Sequence, residues 1–76
     1  MKIGVPKEIK IKENRVGLVP AGVRQLVKDG HELYVQTNAG IGIGISDQDY
    51  INAGANILPK AEEVLDKAEL IVKVKA

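Results

Sequence analysis

The sequence predicts an α/β fold built on a parallel sheet, and three observations predict it. Short apolar runs alternate with segments whose apolar residues fall at helical spacing. Each helical segment carries its own start and stop signals, and the runs "LYV" and "LIV" are continuously apolar, as expected of strands covered on both faces. Strand and helix in alternation is the grammar of parallel strands joined by right-handed crossovers.

The first strand is "KIGVP", residues 2–6, closed by Pro6, which has no N–H to give to a ladder. It runs into "KEIKIKENRVGLVPAGV", residues 7–23, whose first part is too broken for a helix and too irregular for a strand. A helix starts at Pro20, a good first helical residue; Val23, Leu26 and Val27 make its apolar face, and Gly30 follows as its stop. "ELYVQ", residues 32–36, is the second strand. A glycine-rich loop leads to a short helix capped by Ser46, with Asp49 as the acidic half of a capping box and Gly54 as the stop. "ANIL" is a weak third strand. After Pro59, Ala61, Val64, Leu65 and Ala68 form an apolar stripe at helical spacing, and "ELIVKVK", residues 69–75, is the clearest strand in the chain.

Composition limits the classes of function. A chain of 76 residues is one small domain at most, burying only about 60% of the surface its unfolded form exposes. Its aromatics are Tyr34 and Tyr50 alone, it has no cysteine, and its single histidine is His31, so neither a disulfide scaffold nor a zinc module fits. The expected setting is reducing and cytoplasmic. Lys plus Arg is 11 against 10 for Asp plus Glu, a balance that points to neither nucleic acid nor an anionic membrane as partner. No apolar run approaches the roughly 20 residues of a membrane span, and the N-terminus lacks a leader's apolar stretch.

Along "VKVK" the pattern alternates, placing Lys73 and Lys75 on one face at the carboxyl end of the last strand. In open parallel sheets the ligand crevice lies outside the carboxyl ends, and the segment carrying Arg15 leaves the carboxyl end of the first strand. Arg15 and one of the lysines therefore describe a small-anion site, the planar guanidinium fork suiting a carboxylate or phosphate and the ammonium adding a movable charge. The competing reading is three solvated surface charges. "AGIGIG" sets Gly40, Gly42 and Gly44 between a strand and a helix, but GxGxG is not the dinucleotide spacing GxGxxG, and the loop reads as a turn. His31, beside Gly30, is expected to meet helix-end carbonyls rather than to act as a base. Glu62, Glu63 and Asp66 read as the solvated face of the last helix.

The best strand stops at Ala76 with nothing after it to cover it, so the chain reads as the opening portion, 1–76, of a larger α/β protein, truncated within its domain. A complete small domain with an exposed edge strand is the alternative.

The markers "IGVPKE", "NRVGLVPAGV", "GHELYVQTNAGIGIGISDQDY" and the closing "KVK" resemble, over essentially the whole chain, the N-terminus of the alanine dehydrogenase and nicotinamide nucleotide transhydrogenase family. The resemblance implies a flavodoxin-like substrate domain of an enzyme that converts L-alanine, NAD and water to pyruvate, ammonium and NADH. It implies that Arg15 and Lys75 bind the substrate, with no role carried over to Lys73. It implies that the catalytic histidine and aspartate and the Rossmann NAD-binding domain lie beyond Ala76, so that these residues alone hold no NAD and turn nothing over. It further implies a soluble homo-oligomer, commonly a hexamer, acting on a small molecule. Two alternatives stay open: the opening of a proton-translocating transhydrogenase subunit, whose closing motif more often reads "KVN", and a non-catalytic interaction module.

Overall fold

The computed structural model describes residues 1–7 and 18–72. Four parallel strands, β1 (Lys2–Val5), β2 (Glu32–Gln36), β3 (Asn56–Leu58) and β4 (Leu70–Ile71), form one sheet in the order β3-β2-β1-β4. Between them run α1 (Pro20–Lys28), α2 (Asp47–Asn52) and α3 (Ala61–Lys67). This is the parallel α/β arrangement the alternation predicts. The chain steps twice in one direction, from β1 to β2 to β3, before crossing back to lay β4 on the other side of β1. A flavodoxin order reverses after a single step.

Register decides which residues meet which helices. Ile3 pairs with Leu33 and Val5 with Val35, so these four side chains share one face of the sheet. They join Val23 of α1, Tyr50 of α2 and Ala53, just after α2, in one core, with Leu26, Val27 and Ile57 packed at its margin. Fully burying each Val or Leu side chain is worth about 1.5–3 kcal/mol, the main term holding α1 and α2 to the sheet. Gly4 and Tyr34 pair on the opposite face, under α3. A methyl group at Gly4 would lie 2.7 Å from the Ala68 Cβ and 2.8 Å from the Val64 Cγ1. The missing side chain lets α3 sit close to the sheet.

Local signals hold where the sequence places them. Pro20 begins α1, and Gly30 follows it at φ +95°, a left-handed conformation open to glycine. Ser46 and Asp49 complete a reciprocal capping box, and Gly54, at φ +106°, ends α2. The apolar stripe of α3 is narrower than its spacing predicts. Val64 is fully buried and Ala61 and Ala68 partly so, but Leu65 is 51% exposed, because only the line of side chains over Gly4 reaches the sheet. Of "ELIVKVK", Leu70 and Ile71 are strand, Val72 still donates to the Gly4 carbonyl at 2.9 Å, and residues 73–76 lie outside the described residues. No helix among the described residues is long and apolar enough to cross a membrane.

Candidate functional site

The strand order concentrates interest at one point. β2 and β3 lie on one side of β1 and β4 on the other, so the carboxyl ends of β1 and β4 are neighbours where the chain's direction of winding reverses. Outside such a reversal the connecting segments diverge to opposite faces and leave a crevice for a ligand. The connection from β1 to α1 starts there at Pro6. Arg15, Lys73 and Lys75, the residues read from the sequence as an anion site, lie outside the described residues. The described residues supply the frame on either side of them.

That frame is hydrogen-bonded at both ends of the β1–α1 connection. The Lys7 N–H donates to Gln36 Oε1 at 2.7 Å, fastening the start of the connection to the last residue of β2. The Tyr50 hydroxyl donates to the Leu18 carbonyl at 2.8 Å, fastening its end to α2. Tyr50 is completely buried, and burial pushes its phenol up to about 12, with the nearby Asp47 carboxylate adding to the rise. It remains a protonated donor throughout the neutral range.

The loop from β2 to α2 is held as firmly. Asp47, the first residue of α2, accepts from Thr37 Oγ1 at 2.6 Å and from the Asn38 N–H at 2.8 Å. Asn38 takes a left-handed conformation, φ 64°, which the short polar side chain of Asn tolerates. A single 3₁₀ turn, Ile41–Ile43, completes the loop, and Gly44 at φ +80° redirects the chain into Ser46. Ser46 Oγ then accepts from the Asp49 N–H at 3.3 Å while the Ser46 N–H donates to Asp49 Oδ2 at 2.9 Å.

This arrangement does not fit a dinucleotide. A pyrophosphate on a glycine loop needs free N–H groups at a positive helix start, yet here Asp47 and Asp49 already place two carboxylates at the N-terminus of α2. Gly40, Gly42 and Gly44 serve the turn, as their spacing predicts. Among the described residues no group of three His, Cys, Asp or Glu side chains comes together to hold a metal ion.

The remaining sequence candidates fall away from the crevice. The His31 N–H donates to the Leu26 carbonyl at 3.0 Å, the helix-end contact expected of its position. Its ring does not share in that contact: Nδ1 is buried with no hydrogen-bond partner among the described residues. His31 precedes β2 and so stands at the strands' amino ends, away from the reversal. Glu62, Glu63 and Asp66 are exposed on α3. Sequence reasoning missed Gln36, Asp47 and Tyr50. Only Tyr50 carried a signal, being one of two aromatics and tipped with a hydroxyl that needs a partner when buried.

Comparison with known proteins agrees with the fold and narrows its kin. The profile described as "Alanine dehydrogenase/PNT, N-terminal domain" matches residues 4–76. The chain is 56% identical over 75 residues to an alanine dehydrogenase of Methanococcus maripaludis and 52% identical over 75 residues to one of Bacillus subtilis. Each match covers 99% of this chain and 20% of the relative, so the chain spans about a fifth of the length of the relatives it matches. Among solved structures, an L-alanine dehydrogenase superposes with TM-score 0.92 at 53% identity over 96% of this chain and 20% of its own. A transhydrogenase from Sinorhizobium meliloti superposes with TM-score 0.87 at 30% identity over 96% of this chain and 21% of its own.

Proposed function

Because the chain belongs to the alanine dehydrogenase/PNT N-terminal domain family, we propose that it is the substrate-binding opening of an NAD-dependent L-alanine dehydrogenase. The observation that carries this reading is the adjacency of the carboxyl ends of β1 and β4 at the winding reversal. The segment bearing Arg15 departs from the first of these ends and "KVK" continues from the second. Arg15 takes the carboxylate that L-alanine and pyruvate share, and Lys75 adds a second positive charge at the same substrate. A carboxylate held in this way fixes the α-carbon in both directions of the reaction, which is a positioning role. NAD, when bound, accepts the hydride. The donor set at the glycine loop gives it no seat here, so cofactor binding and proton transfer belong to other parts of the full enzyme. That enzyme is read as a cytoplasmic homo-oligomer. The identities of 56% and 52% to alanine dehydrogenases, against 30% to a transhydrogenase, favour the amino-acid substrate over a second nicotinamide nucleotide.

The test is an exchange. This chain, placed in the Bacillus subtilis enzyme in lieu of the matched segment, should support NADH formation from L-alanine. Arg15→Ala in that background should cost about 2–5 kcal/mol in kcat/KM, the loss seen when a buried charge pair is broken. An unchanged kcat/KM for L-alanine sinks the assignment.

A further inference from the structure

We infer that Ile41 and Ile43, on the loop between β2 and α2, are the contact by which this domain receives the nucleotide-binding part of the full-length protein when it closes over substrate. The inference rests on the dehydrogenase reading and adds to it an interaction surface.

The composition of this loop is its first peculiarity. From Ala39 to Ile45 the sequence is Ala-Gly-Ile-Gly-Ile-Gly-Ile, with no polar side chain, although residues 41–44 are exposed. Ala39 is buried and Ile45 packs against the core, which leaves Ile41 and Ile43 outside at 60% and 43% exposure. They are not a loose end. The N–H groups of Ile41, Ile43, Gly44 and Ile45 all bond carbonyls within the loop, the last to Gly40 at 2.9 Å. Gly40 lies so near Ile45 that a Cβ there would stand 2.7 Å from the Ile45 Cβ. With those donors engaged, aliphatic surface is what the turn offers a partner.

Position names the partner. β2 pairs directly with β1, so the loop leaves the sheet about 5 Å from the carboxyl end of β1, on the rim of the crevice. Hydride passes directly between substrate and nicotinamide, whose reacting atoms must come within roughly 3–3.5 Å, so the part that holds the nucleotide faces this rim. The relatives supply room for such a part, since this chain spans about a fifth of their length. Two other occupants fit worse. Asp47 and Asp49 follow the turn, and an anionic membrane repels them. A second copy on a two-fold axis through the turn would set the same carboxylates against their own images. Covering the exposed halves of both isoleucines favours the closed form by about tenfold or more.

The test uses the full-length exchanged enzyme carrying Ile41→Cys or Ile43→Cys, with Ile51→Cys as the control, since Ile51 is 47% exposed near the other end of α2. Each variant is labelled with a maleimide and followed by peptide mass, so that only the chosen position is read. Without ligands all three should label at similar rates. With NAD and pyruvate, both oxidised and so unable to turn over, labelling of Ile41→Cys and Ile43→Cys should slow about tenfold and that of Ile51→Cys less than about twofold. A benzophenone attached at Ile43→Cys should, on irradiation of that complex, join to a peptide beyond residue 76 of the same chain. Mixing with isotope-labelled enzyme distinguishes that product from a crosslink to a second copy. Labelling rates that the ligands leave unchanged, or crosslinks confined to a second copy, overturn the inference. An exchanged enzyme that forms no NADH from L-alanine removes the dehydrogenase reading, and the inference falls with it. An active enzyme that fails the labelling or crosslinking test overturns the inference alone.

Discussion

The two faces of the sheet are built to different standards. Under α1 and α2, Val5, Val23, Leu33, Val35 and Tyr50 are wholly excluded from solvent. Under α3, Val64 alone among the described residues reaches that state, while Leu65 remains 51% exposed. Capping does not follow that division, since α2 has a complete capping box while α1 and α3 have no side-chain cap at their starts. The difference teaches that the first face is organised by side chains that fill space, and the second by one residue that vacates it, Gly4.

The largest effect that sharpens this contrast comes from matched leucines. Leu33→Ala should lose about 2–5 kcal/mol of stability, the cost of a cavity in a packed core, whereas Leu65→Ala should stay within about 0.5 kcal/mol. Urea midpoints measured on the two variants check it, and comparable losses would mean that the second face is as complete as the first.

A smaller effect comes from filling the space that α3 needs. Gly4→Ala sets a methyl group 2.7 Å from the Ala68 Cβ, which has no rotamer with which to escape. A loss of about 1–3 kcal/mol is expected, in the range for overpacking. The same experiment should show amide exchange rising in α3 and not in α1, and a uniform rise would contradict the separation of the faces.

The smallest belongs to the first face and depends on pH. Tyr50 holds its proton more tightly folded, at about 12, than its ordinary value of 10. Its contribution is therefore whole below pH 10 and is lost as pH rises through about 12. Near neutrality Tyr50→Phe should be less stable than the parent by about 1 kcal/mol, one hydrogen bond's worth. Melts of the two proteins between pH 10 and 12 should converge, and a constant gap would show that the phenol ionises without cost in the folded chain.

What was legible in the sequence was what neighbours decide. Pro20, Gly30, the pair Ser46 and Asp49, and Gly54 act within a turn of themselves, and each lies where its chemistry places it. Gly4 against Ala68, and Tyr50 against Leu18, are contacts between residues far apart in the chain. Nothing near Gly4 distinguishes a glycine under a helix from one in a flexible strand. Leu65 shows the reverse error, because helical spacing describes a stripe and cannot say how wide a stripe the opposing surface will accept. The strand order, and with it the crevice between β1 and β4, comes from pairings that no local pattern records.

The tie between Tyr50 and Leu18 also makes the protein its own optical instrument. The chain has no tryptophan, and its only aromatic rings are Tyr34 and Tyr50. Tyr34 is half-buried under α3, with the Lys67 ammonium 5.9 Å from its ring centre, while Tyr50 is sealed beneath the opposite layer with its hydroxyl engaged. Near-ultraviolet dichroism in the tyrosine band is thereby divided between the two layers, and the spectrum of a Tyr34→Leu variant isolates the band of Tyr50. Loss of that band on titration or heating marks, without any label, the moment at which the ring of Tyr50 and its tie to the Leu18 carbonyl leave the core.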